Sequence, residues 1–329
     1  MRIENLGLGG DVLRKALIVG INYYTNCKAL HGCVTDACDV KSALERNADG
    51  TINFDVKTML ATNDADKISK AQLKEKVREL FAGDSDIALF YYSGHGYIEN
   101  TGGYLVTSEC STGDDGLPLT DLMTIANESR AKNKVIILDS CNAGIVGDLA
   151  INNAFAQISE GMTILTACGK EQYATEKNGH GVFTSLLVDA LLGGASNLVG
   201  DITPGSIYAH IDQSLGPWEQ RPVFKTNVKN FISLRKNVPP ISLQDLKEII
   251  KLFERSSDEF MLDPSFEPTE ETYNEDNGVK FKTLQNYVCV NLVRPLGEEH
   301  MYYAAIHSKS CKLTALGAHY WNLVKNNRI

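Results

Sequence analysis

His95 and Cys141 each follow an apolar run and stand 46 positions apart (141 − 95). The first run is Ile87-Ala88-Leu89-Phe90-Tyr91-Tyr92, leading into Ser93-Gly94-His95-Gly96. The second is Val135-Ile136-Ile137-Leu138, leading into Asp139-Ser140-Cys141-Asn142-Ala143-Gly144. Thiol chemistry on an acyl group needs a thiolate, an imidazole that makes it and later protonates the leaving amine, and N–H donors for the oxyanion. Here Cys141 is the candidate nucleophile and His95 the candidate base and acid. The backbone amides of Gly96 and Cys141 are candidate oxyanion donors. Glycine at 94, 96 and 144 leaves room for a substrate backbone. A cysteine after a strand is ordinarily an inert core thiol, and a histidine in a Gly-rich turn is ordinarily a loop residue. Finding both at strand ends, both flanked by glycine, is what points to catalysis.

Short apolar runs closed by small residues read as buried parallel strands, and α/β sheets collect chemistry at the carboxyl ends of such strands. Strands are expected at 15–21, 54–60, 87–92, 134–138, 162–167 and from 221, with a hairpin strand at 103–107. Helices are expected at 34–46, 69–81, 119–131, 182–192 and 207–215, from apolar spacing and caps. Residues 144–160 read as a loop. This alternation predicts an α/β fold with a mostly parallel six-stranded sheet and helices on both faces.

The alternation stops near Lys236. We expect a first domain at 1–236, a linker at 237–240 (Asn-Val-Pro-Pro) and a small α+β domain at 241–329. A helix is expected over 243–260, a loop over 263–278, helix or strand over 280–293, a turn at Gly297-Glu298-Glu299, a strand at 302–307 and a helix at 313–325. A winged-helix-like module fits that order.

With 329 residues and a net charge of −9, the chain has room for both domains and little affinity for anionic surfaces. Nucleic acid and membrane are therefore not expected partners. Eight cysteines without a CxxC pair, and an N-terminus without a signal-peptide core, lead us to expect reduced thiols and a cytoplasmic location.

Ser93-Gly94-His95-Gly96 and Asp139-Ser140-Cys141-Asn142-Ala143-Gly144 resemble the two catalytic motifs of the caspase-like cysteine peptidases. Leu30-His31-Gly32-Cys33-Val34-Thr35-Asp36-Ala37, the segment Thr166 to Glu176, and Gly181-Val182-Phe183-Thr184 resemble further metacaspase segments. The resemblance covers roughly 14–235. Asn142-Ala143 departs from the His-Ser that metacaspases carry.

The resemblance implies a caspase-like fold and a cysteine endopeptidase. It also implies a preference for Arg or Lys before the scissile bond, since Asp139 stands where caspases have glutamine. Asp36 matches the second acidic pocket residue, Cys33 and Ser93 match pocket-lining positions, and Glu176 is a further candidate. Two carboxylates suit a buried guanidinium through paired, charge-assisted hydrogen bonds. The alternatives stay open: Asp36 could serve a helix N-terminus, and Asp139 could orient the active-site loop.

Caspases mature by cleavage in the linker after the cysteine. Residues 142–169 contain no Lys or Arg, so an enzyme cutting after basic residues cannot cut itself there. We therefore expect a protease gated by a small molecule, such as a nucleotide-derived signal, or by a partner protein. Extra domains of bacterial relatives resemble sensors in antiviral defence and cell death. No cofactor is required; many metacaspases take calcium, for which Asp121 and Asp148 are the candidates. The rival readings are a non-catalytic signalling module on the same fold and a ligand-sensing regulator.

Overall fold

The computed structural model describes residues 13–99, 102–140, 148–149, 152–156, 158–167, 176–177, 180–216 and 220–329. Cys141, Cys168 and most of the segment after Cys141 lie outside the described residues, and Asp148 and Glu176 are described in their backbone only. The chain divides into two compact units, one of residues 1–196 and 201–237, the other of 197–200 and 238–329.

Six strands form the main sheet of the first unit: β1 (Arg14–Ile21), β2 (Asp55–Ala61), β3 (Ile87–Ser93), β4 (Asn133–Asp139), β5 (Met162–Thr166) and β6 (Val223–Asn227). Their order is β6-β5-β4-β3-β1-β2, and only the β5–β6 pair is antiparallel. The expected mostly parallel six-stranded sheet is present. Pro222 sits just before the edge strand β6, where a missing N–H disrupts no ladder.

Successive strand residues point to opposite faces, so each central strand feeds two cores. Ala88, Phe90 and Tyr92 enter one core with Ile136 and Leu138, under α2 (Lys70–Phe81) and α3 (Leu119–Asn127). Ile87, Leu89 and Tyr91 enter the other with Val135 and Ile137, under α1 (Cys33–Glu45), α4 (Val182–Asp189) and α5 (Pro204–Ser214). The near-continuous apolar runs of β3 and β4 are thus explained: both faces are covered.

The start of α1 lies hard against β1. A Cβ on Gly20 would stand 2.5 Å from the Cys33 carbonyl oxygen and 2.8 Å from the Ala37 Cβ. Gly32, at the N-cap, offers no side chain; Asn22 supplies the missing acceptor, its Oδ1 taking the Val34 N–H at 3.1 Å. Between β3 and α3, Gly96–Glu99 pairs with Gly102–Leu105, which pairs with Leu117–Pro118. The 144–160 stretch, expected as a loop, carries a short antiparallel pair, Asp148–Leu149 with Asn152–Ala156. Its small polar residues hide that pairing from a periodicity reading.

The second unit has its own core around Leu246, Phe253, Leu284 and Tyr287. Short helices α6 (Leu243–Lys247) and α7 (Ile249–Leu252) precede β7 (Glu259–Met261), then α8 (Glu275–Cys289), β8 (Val293–Leu296), α9 (Met301–Ile306), β9 (Ser310–Leu313) and α10 (Ala315–Lys325). β9 runs antiparallel between β7 and β8. Two expectations differ. The long helix over 243–260 stops at Leu252, because Ser256-Ser257-Asp258 turns the chain and Asp258 accepts the Arg255 N–H at 2.9 Å. Residues 302–307 form helix rather than strand, because Met301, Ala304 and Ala305 bury at helical spacing. That helix separates β8 from β9, so the two are not joined by the tight hairpin of a wing.

No helix among the described residues is long and apolar enough to cross a membrane. Six described cysteines are free thiols.

Gly20→Ala should lower stability by about 1–3 kcal/mol, as overpacking does, by displacing the start of α1. Urea unfolding of the two proteins checks this; equal midpoints would contradict the close approach.

Candidate active site

β3 and β4 pair in register from Ile87↔Asn133 to Ser93↔Asp139. The pairing continues one step further, with the Gly94 N–H donating to the Asp139 carbonyl at 3.3 Å. Ser93 and Asp139 are therefore opposite one another, and His95 and Cys141 each stand two positions beyond this last pair. The two motifs leave the sheet from adjacent strand ends.

Tyr91 and Tyr92, neighbours in β3, point to opposite faces and organise opposite halves of this region. On one side, the Tyr92 hydroxyl lies 2.7 Å from the Val106 carbonyl and 2.9 Å from that of His95, which share its single proton. The Tyr24 hydroxyl accepts the His95 N–H at 2.8 Å, and its ring lies 4.7 Å from the imidazole. Burial pushes the ionisation of both phenols up, so they act as neutral hydroxyls. Gly94 is obligatory between them: a Cβ there would meet the Tyr92 and Tyr24 hydroxyls at 2.6 and 2.7 Å. The imidazole Nε2 lies 2.8 Å from the Lys28 carbonyl. A carbonyl only accepts, so Nε2 carries the proton and Nδ1 is left as the basic nitrogen. The imidazole is thereby oriented by a third group, the arrangement that activation of a nucleophile requires.

On the other side, two carboxylates are buried, Asp36 at 2% and Asp139 at 6% exposure. Thr184 in α4 donates to Asp139 Oδ2 at 2.6 Å. Its single proton is thereby used, so the Tyr91 hydroxyl, 2.7 Å away, donates to Thr184. Asp36 Oδ2 accepts the Gly181 N–H at 3.0 Å, and His180 Nδ1 lies 3.2 Å from Oδ1. Gly181 is the meeting point: a Cβ there would stand 2.5 Å from Asp139 Oδ2 and 3.0 Å from Asp36 Oδ2. Burial pushes the Asp36 carboxyl up to about 6, against the Gly181 N–H and His180, which favour the charged form. Two carboxylates converging on a glycine make a place suited to a cationic group.

The caspase domain model matches residues 13–238, more than half of the chain. The chain belongs to the caspase domain family. Among curated proteins it is 34% identical to metacaspase-1 of Meyerozyma guilliermondii over 91 residues, which are 26% of this chain and 22% of that protein. It is 30% identical to metacaspase-1A of Neurospora crassa over 154 residues, 41% of this chain and 33% of that protein. The chain thus spans a minor part of the length of these metacaspases. Caspase-1 of Spodoptera frugiperda shares 13% identity at a TM-score of 0.48, covering 72% of this chain and 98% of that one. Membership places the chain in a family of cysteine peptidases.

Within this caspase domain, the expected site residues fall in two groups. Asp36, Asp139, Cys33 and Ser93 are all buried and come from α1 and the ends of β3 and β4. Asp36 does serve a helix start, but that of α4 rather than its own α1. Gly96 opens the short strand after His95, in register with Leu105. Glu176 lies opposite Gly181 in a two-stranded pairing. Asp121 is held by Lys74 of α2 at 2.6 Å, and no group of three potential metal ligands occurs among the described residues. The sequence reading missed Tyr24, Tyr92, Tyr91, Thr184 and His180. Its one available signal was the Tyr91-Tyr92 pair in an otherwise aliphatic strand, since buried phenols need partners.

Tyr24→Phe should cost about 1 kcal/mol in unfolding free energy, because the His95 N–H loses its acceptor; an unchanged value would contradict the hydrogen bond. Asp36 gives a pH signature. Its carboxyl titrates near 3.8 unfolded and about 6 folded, so between those values the native state holds the extra proton. The stability this confers is lost as pH rises through that window. The stability of wild type relative to Asp36→Asn should therefore fall from 3.8 to about 6; a flat difference would contradict the burial.

Proposed function

We propose that the chain is a cysteine endopeptidase that cuts after arginine or lysine with His95 and Cys141. The observation that carries this reading is the pairing of Ser93 with Asp139, which starts both motifs at the same sheet edge. His95 Nδ1 takes the Cys141 thiol proton, because Nε2 is committed to the Lys28 carbonyl. The thiolate attacks the scissile carbonyl, and the oxyanion accepts from the Gly96 and Cys141 amides. The imidazolium then protonates the leaving amine, and water hydrolyses the thioester.

The basic side chain enters where Asp36 and Asp139 converge at Gly181. We assign Cys33 and Ser93 to the lining of this pocket, with Glu176 as a further candidate. A guanidinium there would give two buried carboxylates a charge-assisted partner. Since 142–169 lacks Lys and Arg, the enzyme works in one piece. Its switch is a ligand or partner protein, read by the domain at 241–329.

In the presence of its activator, wild type should hydrolyse an arginine-aminomethylcoumarin peptide, and Cys141→Ala should lose at least about a thousandfold. Asp36→Ala and Asp139→Ala should each lower the preference for arginine over alanine by about tenfold or more. Retained preference in both would refute the pocket. The active protein should run as a single 36.1 kDa chain; a break within 142–169 would refute the unprocessed state.

A further inference from the structure

His180 opens the second strand of a two-stranded pairing and immediately precedes Gly181, the N-cap of α4. Its Nδ1 is 3.2 Å from Asp36 Oδ1 and 3.7 Å from Asp39 Oδ2. Its side chain is 39% exposed, whereas that of Asp36 is 3% exposed. The carboxylate only accepts, so Nδ1 carries a proton and faces inward. The chain has thus placed a half-exposed, chargeable group against a buried carboxylate that sits in a proposed substrate pocket.

We propose that His180 is a positioning residue of the pocket for the basic side chain, orienting the Asp36 carboxylate and partnering its negative charge until substrate arrives. This rests on the reading of Asp36 and Asp139 as that pocket.

Three features support it. A buried carboxylate tends to take up a proton and become useless for holding a cation. Burial and the neighbouring Asp39 both push Asp36 that way, while the His180 hydrogen bond and charge oppose them. Among the described residues, the Gly181 N–H and His180 are the groups that favour the charged form. From α1 His180 faces only Asp36 and Asp39, and the first turn of α4, Val182-Phe183-Thr184-Ser185, has no titratable side chain. Asp139 reaches the same glycine and adds negative charge. Across the strand pairing, Lys177 is in register with His180 and Glu176 with Gly181, one charge of each sign. Finally, His180 holds the carboxylate through one ring nitrogen, whereas a guanidinium offers a fork of donors, so an arriving arginine can displace it.

The test uses the full chain carrying Cys141→Ala and a fluorescent peptide with arginine before the scissile bond. Binding to this protein should weaken as pH falls through about 6, where Asp36 takes up its proton. Adding His180→Ala should move that fall up by about one pH unit: binding about tenfold weaker at pH ~6, but within about twofold at pH ~8. His180→Gln, which keeps a donor but no charge, should fall between. Asp39→Asn should move the fall the other way. An unchanged pH course in both His180 variants, or equal weakening at every pH, would overturn the proposal. Circular dichroism confirms that each variant folds, and the glutamine variant guards against collapse of the alanine one. A distinct result marks failure of the parent reading: if the protein with His180 intact binds the arginine peptide no better than an alanine peptide at pH ~8, the pocket assignment falls, and this inference with it.

Discussion

Ile87–Ser93 and Asn133–Asp139 run parallel in one register, and the chemistry of the chain depends on where that register stops. Parallel pairing fixes the relative height of two strands through a full ladder of hydrogen bonds, buried here on both faces. A slip of β4 by one residue would turn its side chains over, sending Asp139 away from α4. Because period two is exact in a strand, Tyr91 and Tyr92 can serve different halves of the region. Tyr91 works through Thr184 on the carboxylate side, and Tyr92 works on the histidine loop. Selection of the register is thus also selection of the site.

The carboxylate side is costly by itself. Asp36 and Asp139 are nearly excluded from water, and their partners among the described residues include a hydroxyl, a backbone N–H and one histidine. Buried charge of one sign is tolerated where geometry satisfies its lone pairs or where function needs it. Gly181 shows that the space is deliberate in a physical sense, because any side chain there would collide with both carboxylates. The histidine side follows the opposite logic, with neutral phenols and carbonyls that fix the loop and the tautomer without adding charge.

Much of the first unit was legible in the sequence. Apolar runs such as Ile87–Tyr92 can be little other than buried strands, and Ser93-Gly94 after that run marks the end of the strand. The grouping of Asp36, Asp139, Cys33 and Ser93 came from motif resemblance, and burial and register bring these residues together. What was illegible depends on tertiary contact. Nothing local marks Asn22 as the cap of α1, Thr184 as the bridge from Tyr91 to Asp139, or His180 as a partner for a residue 144 positions away. The second unit misled for a different reason. Its elements are short, so alternation and helical spacing coincide over Tyr302–His307, and burial of Met301, Ala304 and Ala305 decides for helix.

The central claim is that His95 activates Cys141 beside a pocket for a basic side chain. Affinity alkylation tests it most directly. The protein is incubated with a peptidyl chloromethyl ketone ending in arginine, or with one ending in aspartate, and the modified residue is located by mass spectrometry. The account predicts a single adduct on Cys141 from the arginine reagent. That adduct should be strongly slowed by His95→Ala and by Asp36→Ala, with little labelling from the aspartate reagent. Equal labelling by both reagents, or labelling spread over the other cysteines with Cys141 unmodified, would contradict it.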